Sequence, residues 1–164
     1  MSTVVATRPS PSNEGASRFE GAAAWAAVPA RLLLAGVFGV AGVLKIDDPA
    51  GSVRAVRAYD LLPDWLAVAV GRGLPAFELA LAVALLLGVA LRLSAGVAAG
   101  LLTVFLIGIV SAAARGLQID CGCFGGGGVT DDPSYGTEIA RDVALLALSA
   151  WLSSGRPPAS PSMP

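Results

Sequence analysis

Residues 93–114 read LSAGVAAGLLTVFLIGIVSAAA, a run of 22 residues without one charge. A helix needs about 20 apolar residues to cross the hydrocarbon core of a bilayer, so this stretch alone points to a membrane protein. The whole chain agrees. Of its 164 residues, 55% are hydrophobic and only 14% are charged, against roughly 25% charged in a typical soluble domain. Mean hydropathy is +0.71. There is too little charge here to cover a water-facing surface.

Working outward, three more apolar segments emerge, at about 22–45, 73–91 and 137–154. In the first, only 32–44 is uncharged. That is too short to span, so 22–31 must contribute, with Trp25 at the interface, Arg31 snorkelling and Pro29 able to kink the helix. The second holds Glu78 and opens near Pro75, which suits a first helical turn. The fourth is the weakest, and it draws Glu138, Arg141 and Asp142 to the membrane face or into the bundle. Arg92 alone separates the second and third spans, which implies a tight turn between antiparallel neighbours. Between spans one and two, Val53, Val56, Tyr59 and Leu62 recur at near-helical spacing with Arg54 and Arg57 among them. This predicts a short amphipathic helix on the membrane surface. Gly36, Gly39 and Gly42, and the GxxxG of Gly96 and Gly100, let helix backbones approach closely in lipid. The expected fold is an all-α, integral membrane four-helix bundle with one interfacial helix. Residues 21–154 form the membrane domain. Residues 1–20 and 155–164, rich in Ser and Pro, read as disordered tails.

Composition also removes chemistry. Without histidine there is no Ser-His-Asp or Cys-His catalysis and no histidine-ligated zinc or haem. A net charge of −1 leaves no nucleic-acid footprint. Two cysteines cannot build a four-cysteine metal site, and no metal is expected.

Four spans put both termini on one side of the membrane. Lys45, at the end of span one, then shares the opposite side with Glu78, the loop after span three, and Arg141. Glu78 is expected about five residues into span two, roughly 8 Å deep at the helical rise per residue. Charges inside spans cost about 2.5–3.5 kcal/mol on insertion scales, which makes Lys45, Glu78 and Arg141 a candidate polar cluster. The plain alternative is that they pair and fix helix register.

The strongest chemical signal is Asp120-Cys121-Gly122-Cys123-Phe124-Gly125, followed by Gly126, Gly127 and Gly128. One glycine between two thiols allows them to approach, and the small ring of such a disulfide should be strained and labile. Gly122 and Gly125 are expected to give the loop its freedom. A structural role is weak, because closing so short a loop restricts the unfolded chain little. Binding of Cu(I) or another soft ion by the thiolates stays open beside the redox reading.

The Gly-rich first span ending in Val-Leu-Lys45 resembles the methylamine utilisation protein MauE family, within the wider DoxX-like group. So do Tyr59-x-x-Leu62-Pro63, Leu74-Pro75 before Glu78, the CGCFG loop and Arg141-Asp at span four. The resemblance covers about residues 30–152. It implies a multi-pass protein of the bacterial plasma membrane engaged in thiol–disulfide redox work beside a thioredoxin-like, MauD-like partner, as in maturation of methylamine dehydrogenase. Cys121 and Cys123 would be the redox pair. Family members often carry Asn after the span-four arginine, where this chain has Asp142.

Basic residues divide almost evenly between the two sides, so charge does not orient the chain. Disulfide chemistry favours an extracytoplasmic Cys loop and hence cytoplasmic termini. A membrane quinone is an expected electron partner, although no residue pattern identifies its site. The competing functions are a non-catalytic membrane anchor or assembly subunit, and a small polar-solute transporter, which would need a homo-oligomer to enclose a pathway.

Overall fold

The computed structural model describes residues 11–124 and 127–154, with side chains from residue 26 onward. Gly125 and the segments 1–10 and 155–164 lie outside the described residues. The chain forms α1 (Pro11–Asp47), α2 (Pro49–Ala58), α3 (Asp64–Leu87), α4 (Leu91–Ala114), β1 (Ile119–Asp120), β2 (Gly128–Val129) and α5 (Tyr135–Ser154). Helix α1 begins at Pro11, inside the stretch read as a polar tail, and continues through Pro29.

The distribution of residue sizes is the reverse of a soluble bundle. Alanines 30, 35, 41, 82, 95 and 98 are buried between helices, while Leu33, Val40, Leu86, Leu93, Val104 and Ile107 point outward. Lipid solvates such an exterior, and small interior residues let backbones pack closely. Ala26–Asp47, Asp64–Leu87 and Leu91–Ala114 are each long and apolar enough to cross a membrane. Helix α5 has 20 residues, about 30 Å at the helical rise, but Glu138, Arg141 and Asp142 make it more polar. The protein is an all-α membrane protein. Helix α1 lies along α3, and α4 along α5, while α3 and α4 touch more sparsely. Their connection is the turn at 88–90. Gly88 N–H meets the Leu85 carbonyl at 3.2 Å and Val89 N–H meets that of Ala84 at 3.0 Å, a Schellman closure. Arg92 is thus inside α4 rather than between the spans.

Two expectations need correction. Helix α3 starts at Asp64, well before residue 73, because Arg72 is one exposed side chain on a continuing helix rather than its boundary. Pro75 therefore lies in the helix interior. Lacking an N–H, it leaves the carbonyl four residues earlier, on Gly71, without its helical donor. The Ser52 hydroxyl of α2 donates to that carbonyl at 2.7 Å. Gly71 makes the approach feasible, since a Cβ there would lie 2.7 Å from Val53 Cα.

Helix α2 is accordingly docked on α3, with Gly51, Ser52, Val53 and Ala55 buried. Asp48 caps it by accepting from Gly51 N–H at 2.8 Å, and Pro49 occupies the first turn. A forked Arg57–Asp64 pair, at 2.7 and 3.1 Å, closes the link from α2 to α3.

Glu78 lies 14 residues beyond Asp64, about 21 Å along α3, not near the start of the helix. It still meets the end of α1. Lys45 Nζ is 2.6 Å from Glu78 Oε1, with the side chains 5% and 0% exposed. Removing one member of a buried pair typically costs about 3–5 kcal/mol, whereas replacing both by apolar groups is far milder. Lys45→Met should therefore lower the unfolding temperature in micelles more than Lys45→Met with Glu78→Leu. Equal losses would show that the pair carries no mutual compensation.

Ser52→Ala strands a buried carbonyl, at an expected cost of about 1–3 kcal/mol. Adding Pro75→Ala restores a helical donor and should cancel most of that loss. A double variant as unstable as the sum of the two single ones would refute the role given to Ser52.

Candidate functional site

The Cys loop is held by a minimal hairpin. Strands β1 and β2 pair antiparallel, Ile119 opposite Val129 and Asp120 opposite Gly128. Tyr135, at the start of α5, donates its hydroxyl to the Leu117 carbonyl and accepts from Ile119 N–H at 3.3 Å. The Arg115 guanidinium donates to the Tyr59 carbonyl. These bonds tie the exit of α4 and the entry of α5 to the turn that follows α2.

Within the loop, Asp120 Oδ1 accepts from Gly122 N–H at 3.1 Å. Gly122 has φ +66° and lies against α2, where a Cβ would come within 2.6 Å of Ala55 Cβ. Gly127, at φ +73°, faces the same methyl group. No larger residue fits at 122 without lifting the loop. Its glycine serves close packing and a left-handed backbone as much as freedom of motion.

Both cysteines are unbridged and partly buried, but their surroundings differ. The Cys121 sulfur accepts from Cys123 N–H at 3.3 Å, and Arg141 Nη2 lies 3.8 Å away. The Cys123 thiol, the Cys123 backbone N–H and Arg141 hold Cys121 below the ordinary thiol range against the opposing effects of burial and the Glu138 carboxylate. The same hydrogen bond, with burial, pushes Cys123 up. Cys121 is thus the more acidic thiol of the pair, and Cys123 the one that donates to it. Tyr59 donates its hydroxyl to the Cys121 carbonyl at 3.3 Å. Burial, then the neighbouring sulfurs, push this phenol upward and keep it protonated.

The expected cluster of Lys45, Glu78 and Arg141 is built as two separate pairs. Lys45 bonds Glu78. Arg141 Nε bonds Asp142 Oδ1 at 2.9 Å, and its guanidinium lies 4.9 Å from the Phe124 ring centroid, a cation–π distance. The pairs approach across a cavity of about 20 Å³ lined by Glu78, Asp142, Arg141, Cys123 and Phe105 among others. That is room for about one water molecule. Glu78 Oε2 and Asp142 Oδ2 have no hydrogen-bond partner among the described residues.

Glu138 belongs to the site although the motif reading did not single it out. It is 9% exposed, and its carboxylate, Asp120 and the Cys121 sulfur lie within 4.8 Å of one another. These three could offer a cation one sulfur and two oxygen donors. The signal lay in spacing. Glu138, Asp142, Leu145, Ser149 and Leu152 recur at helical intervals and form the buried face of α5. Tyr59 was legible as part of an amphipathic spacing and a family pattern but not as a site residue, because its partner, the Cys121 carbonyl, is 62 residues away.

A multi-pass, all-α membrane protein with an asymmetric dithiol on a short hairpin is the class these features define. The chain belongs to the family of methylamine utilisation protein MauE, whose model matches residues 22–155. It is 34% identical over 133 residues to the methylamine utilization protein MauE of Paracoccus denitrificans, covering 80% of this chain and 70% of the relative. It is 36% identical over 132 residues to that of Paracoccus versutus, with the same coverage. No solved structure matches.

If Arg141 and the Cys123 N–H stabilise the Cys121 thiolate, alkylation of Cys121 should persist to lower pH than for an ordinary thiol. Arg141→Gln should move that profile upward, cutting the rate by about tenfold for each unit by which the pKa rises above the working pH. An unchanged profile would remove Arg141 from the site.

Proposed function

We infer that the chain is a membrane thiol–disulfide exchange component that works on a thioredoxin-like partner outside the cytoplasm. The observation that carries this reading is the inequality of the two thiols. Cys121 is supplied with an N–H and a guanidinium, while Cys123 stays protonated two residues away. Such a pair suits nucleophilic attack by one sulfur and resolution by the other. Cys121 attacks a disulfide of the partner and forms a mixed disulfide. Cys123, once deprotonated, attacks Cys121, releases the partner as a dithiol and leaves Cys121–Cys123 oxidised. The reverse sequence oxidises the partner. Microscopic reversibility lets one site serve both directions.

The family name supports a role in methylamine utilisation, as its relatives are named. The bacterial plasma membrane, cytoplasmic termini and an extracytoplasmic Cys loop complete the proposal, because disulfides persist in oxidising compartments.

The test is trapping in intact cells. Cys123→Ser keeps the attacking thiolate and removes the resolving group, so it should accumulate a mixed disulfide with a thioredoxin-like protein. Cys121→Ser should not. An impermeant maleimide should label the loop in unbroken cells after mild reduction. Absence of any trapped adduct from Cys123→Ser, with the loop labelled from outside, would overturn the exchange reading. Labelling only after permeabilisation would overturn the orientation.

A further inference from the structure

A cavity of about 210 Å³ reaches the dithiol from the side. It lies in the fork between α3 and α4, where the helices diverge from their turn. Val70 and Leu74 of α3 form one wall and Val104 and Phe105 of α4 the other. Helix α2 and the Cys loop close the end. The rim is greasy and open, with Val104 64%, Leu61 52% and Leu62 40% exposed. A lipid-soluble molecule can therefore enter from the bilayer side.

The polar groups inside are few and chemically specific. Both cysteines line the cavity, as do Lys45, Ser52 and Tyr59. The Lys45 ammonium is held by Glu78 and stands 5.4 Å from the Phe105 ring centroid. A donor of two electrons and a fixed cation thus share one apolar chamber. The ligand that fits must be apolar and flat enough for a helix fork. It must accept two electrons and bear an oxygen that becomes more negative as it does so. A substituted quinone meets each requirement. A lipid acyl chain meets only the first.

We propose that this cavity binds the ring of a membrane quinone, which takes the electrons of the Cys121–Cys123 pair. The proposal rests on the exchange reading above and supplies its electron acceptor. The balance closes. The Cys121 thiolate and Cys123 thiol form an S–S bond, the Cys123 S–H bond breaks, and two electrons pass to the ring. The two quinone oxygens take up that proton and one more from the medium, giving the hydroquinone. Lys45 is placed to hydrogen-bond the oxygen that gains charge. The protein would then leave each cycle oxidised, ready to form a disulfide in its partner.

The experiment uses the full chain, reduced, in micelles without oxygen. Decylubiquinone is the probe, because its fully substituted ring resists direct addition of thiols. One quinone should be consumed per disulfide formed, and Cys121→Ser should consume none. Val104→Trp and Val70→Phe fill the cavity from opposite helices without touching either sulfur. Each should slow quinone reduction by about tenfold or more, while exchange of the dithiol with oxidised thioredoxin keeps its wild-type rate. Undiminished quinone reduction in both filled variants would overturn the proposal. So would wild-type thiols that stay reduced in the presence of decylubiquinone, the outcome expected if only lipid occupies the fork. Normal quinone reduction without any exchange with thioredoxin-like proteins would support the cavity and overturn the exchange reading instead.

Discussion

A single backbone carbonyl, that of Gly71, organises the functional end of this molecule. Proline at 75 takes away its helical donor, and a buried carbonyl needs a replacement. The hydroxyl of Ser52 does so instead, and in doing so fixes α2 against α3. Helix α2 then offers the Ala55 methyl group as the surface on which Gly122 and Gly127 rest. The Tyr59 phenol, one turn later, holds the Cys121 carbonyl. The position of the reactive sulfurs is thus traced through four contacts to a missing N–H. What reads as a helix-breaking residue is the means by which a short helix is attached.

The spans were legible because a bilayer imposes a length and a composition that local sequence must meet. Residues 93–114 satisfied it without help, and the fourth helix was placed within two residues of its start. Boundaries failed where one charge was given too much weight. Arg72 did not begin a helix and Arg92 did not separate two, since a long side chain at a helix surface can reach polar surroundings without ending the helix. The docking of α2 was not legible either. Val53 and Val56 suggest a face for lipid, and only the geometry around Gly71 shows that the buried side is the small one, Gly51-Ser52-Val53 and Ala55.

For the site, the cysteines announced themselves by type and spacing, but the inequality between them did not. It arises from the fold of three residues, which sets the Cys123 thiol and N–H against the Cys121 sulfur, and from the approach of Arg141 to that sulfur. Counting spans groups Lys45, Glu78 and Arg141 toward one end of the bundle. Of their partners, the sequence offered Lys45 or Arg141 for Glu78, and the fold pairs Glu78 with Lys45. Counting gives the side of the membrane, whereas partnership depends on helix rotation. Rotation turns Glu78 of α3 toward Lys45 of α1, while Arg141 pairs with its sequence neighbour Asp142. The acidic residue at 142 becomes the buried anchor of the arginine that lies beside the Cys121 sulfur.

The pairing of α1 with α3 and of α4 with α5 has a consequence for biogenesis. The chain enters the membrane from its N-terminus, so the first pair and the platform of α2 can be complete while α5 is still being made. Cys121 then lacks Arg141, which lies 20 residues further on, and its hairpin lacks Tyr135. Until the last helix is in place, the hairpin lacks the Tyr135 hydroxyl that bridges Leu117 and Ile119. The geometry of the dithiol is completed by the final step of assembly.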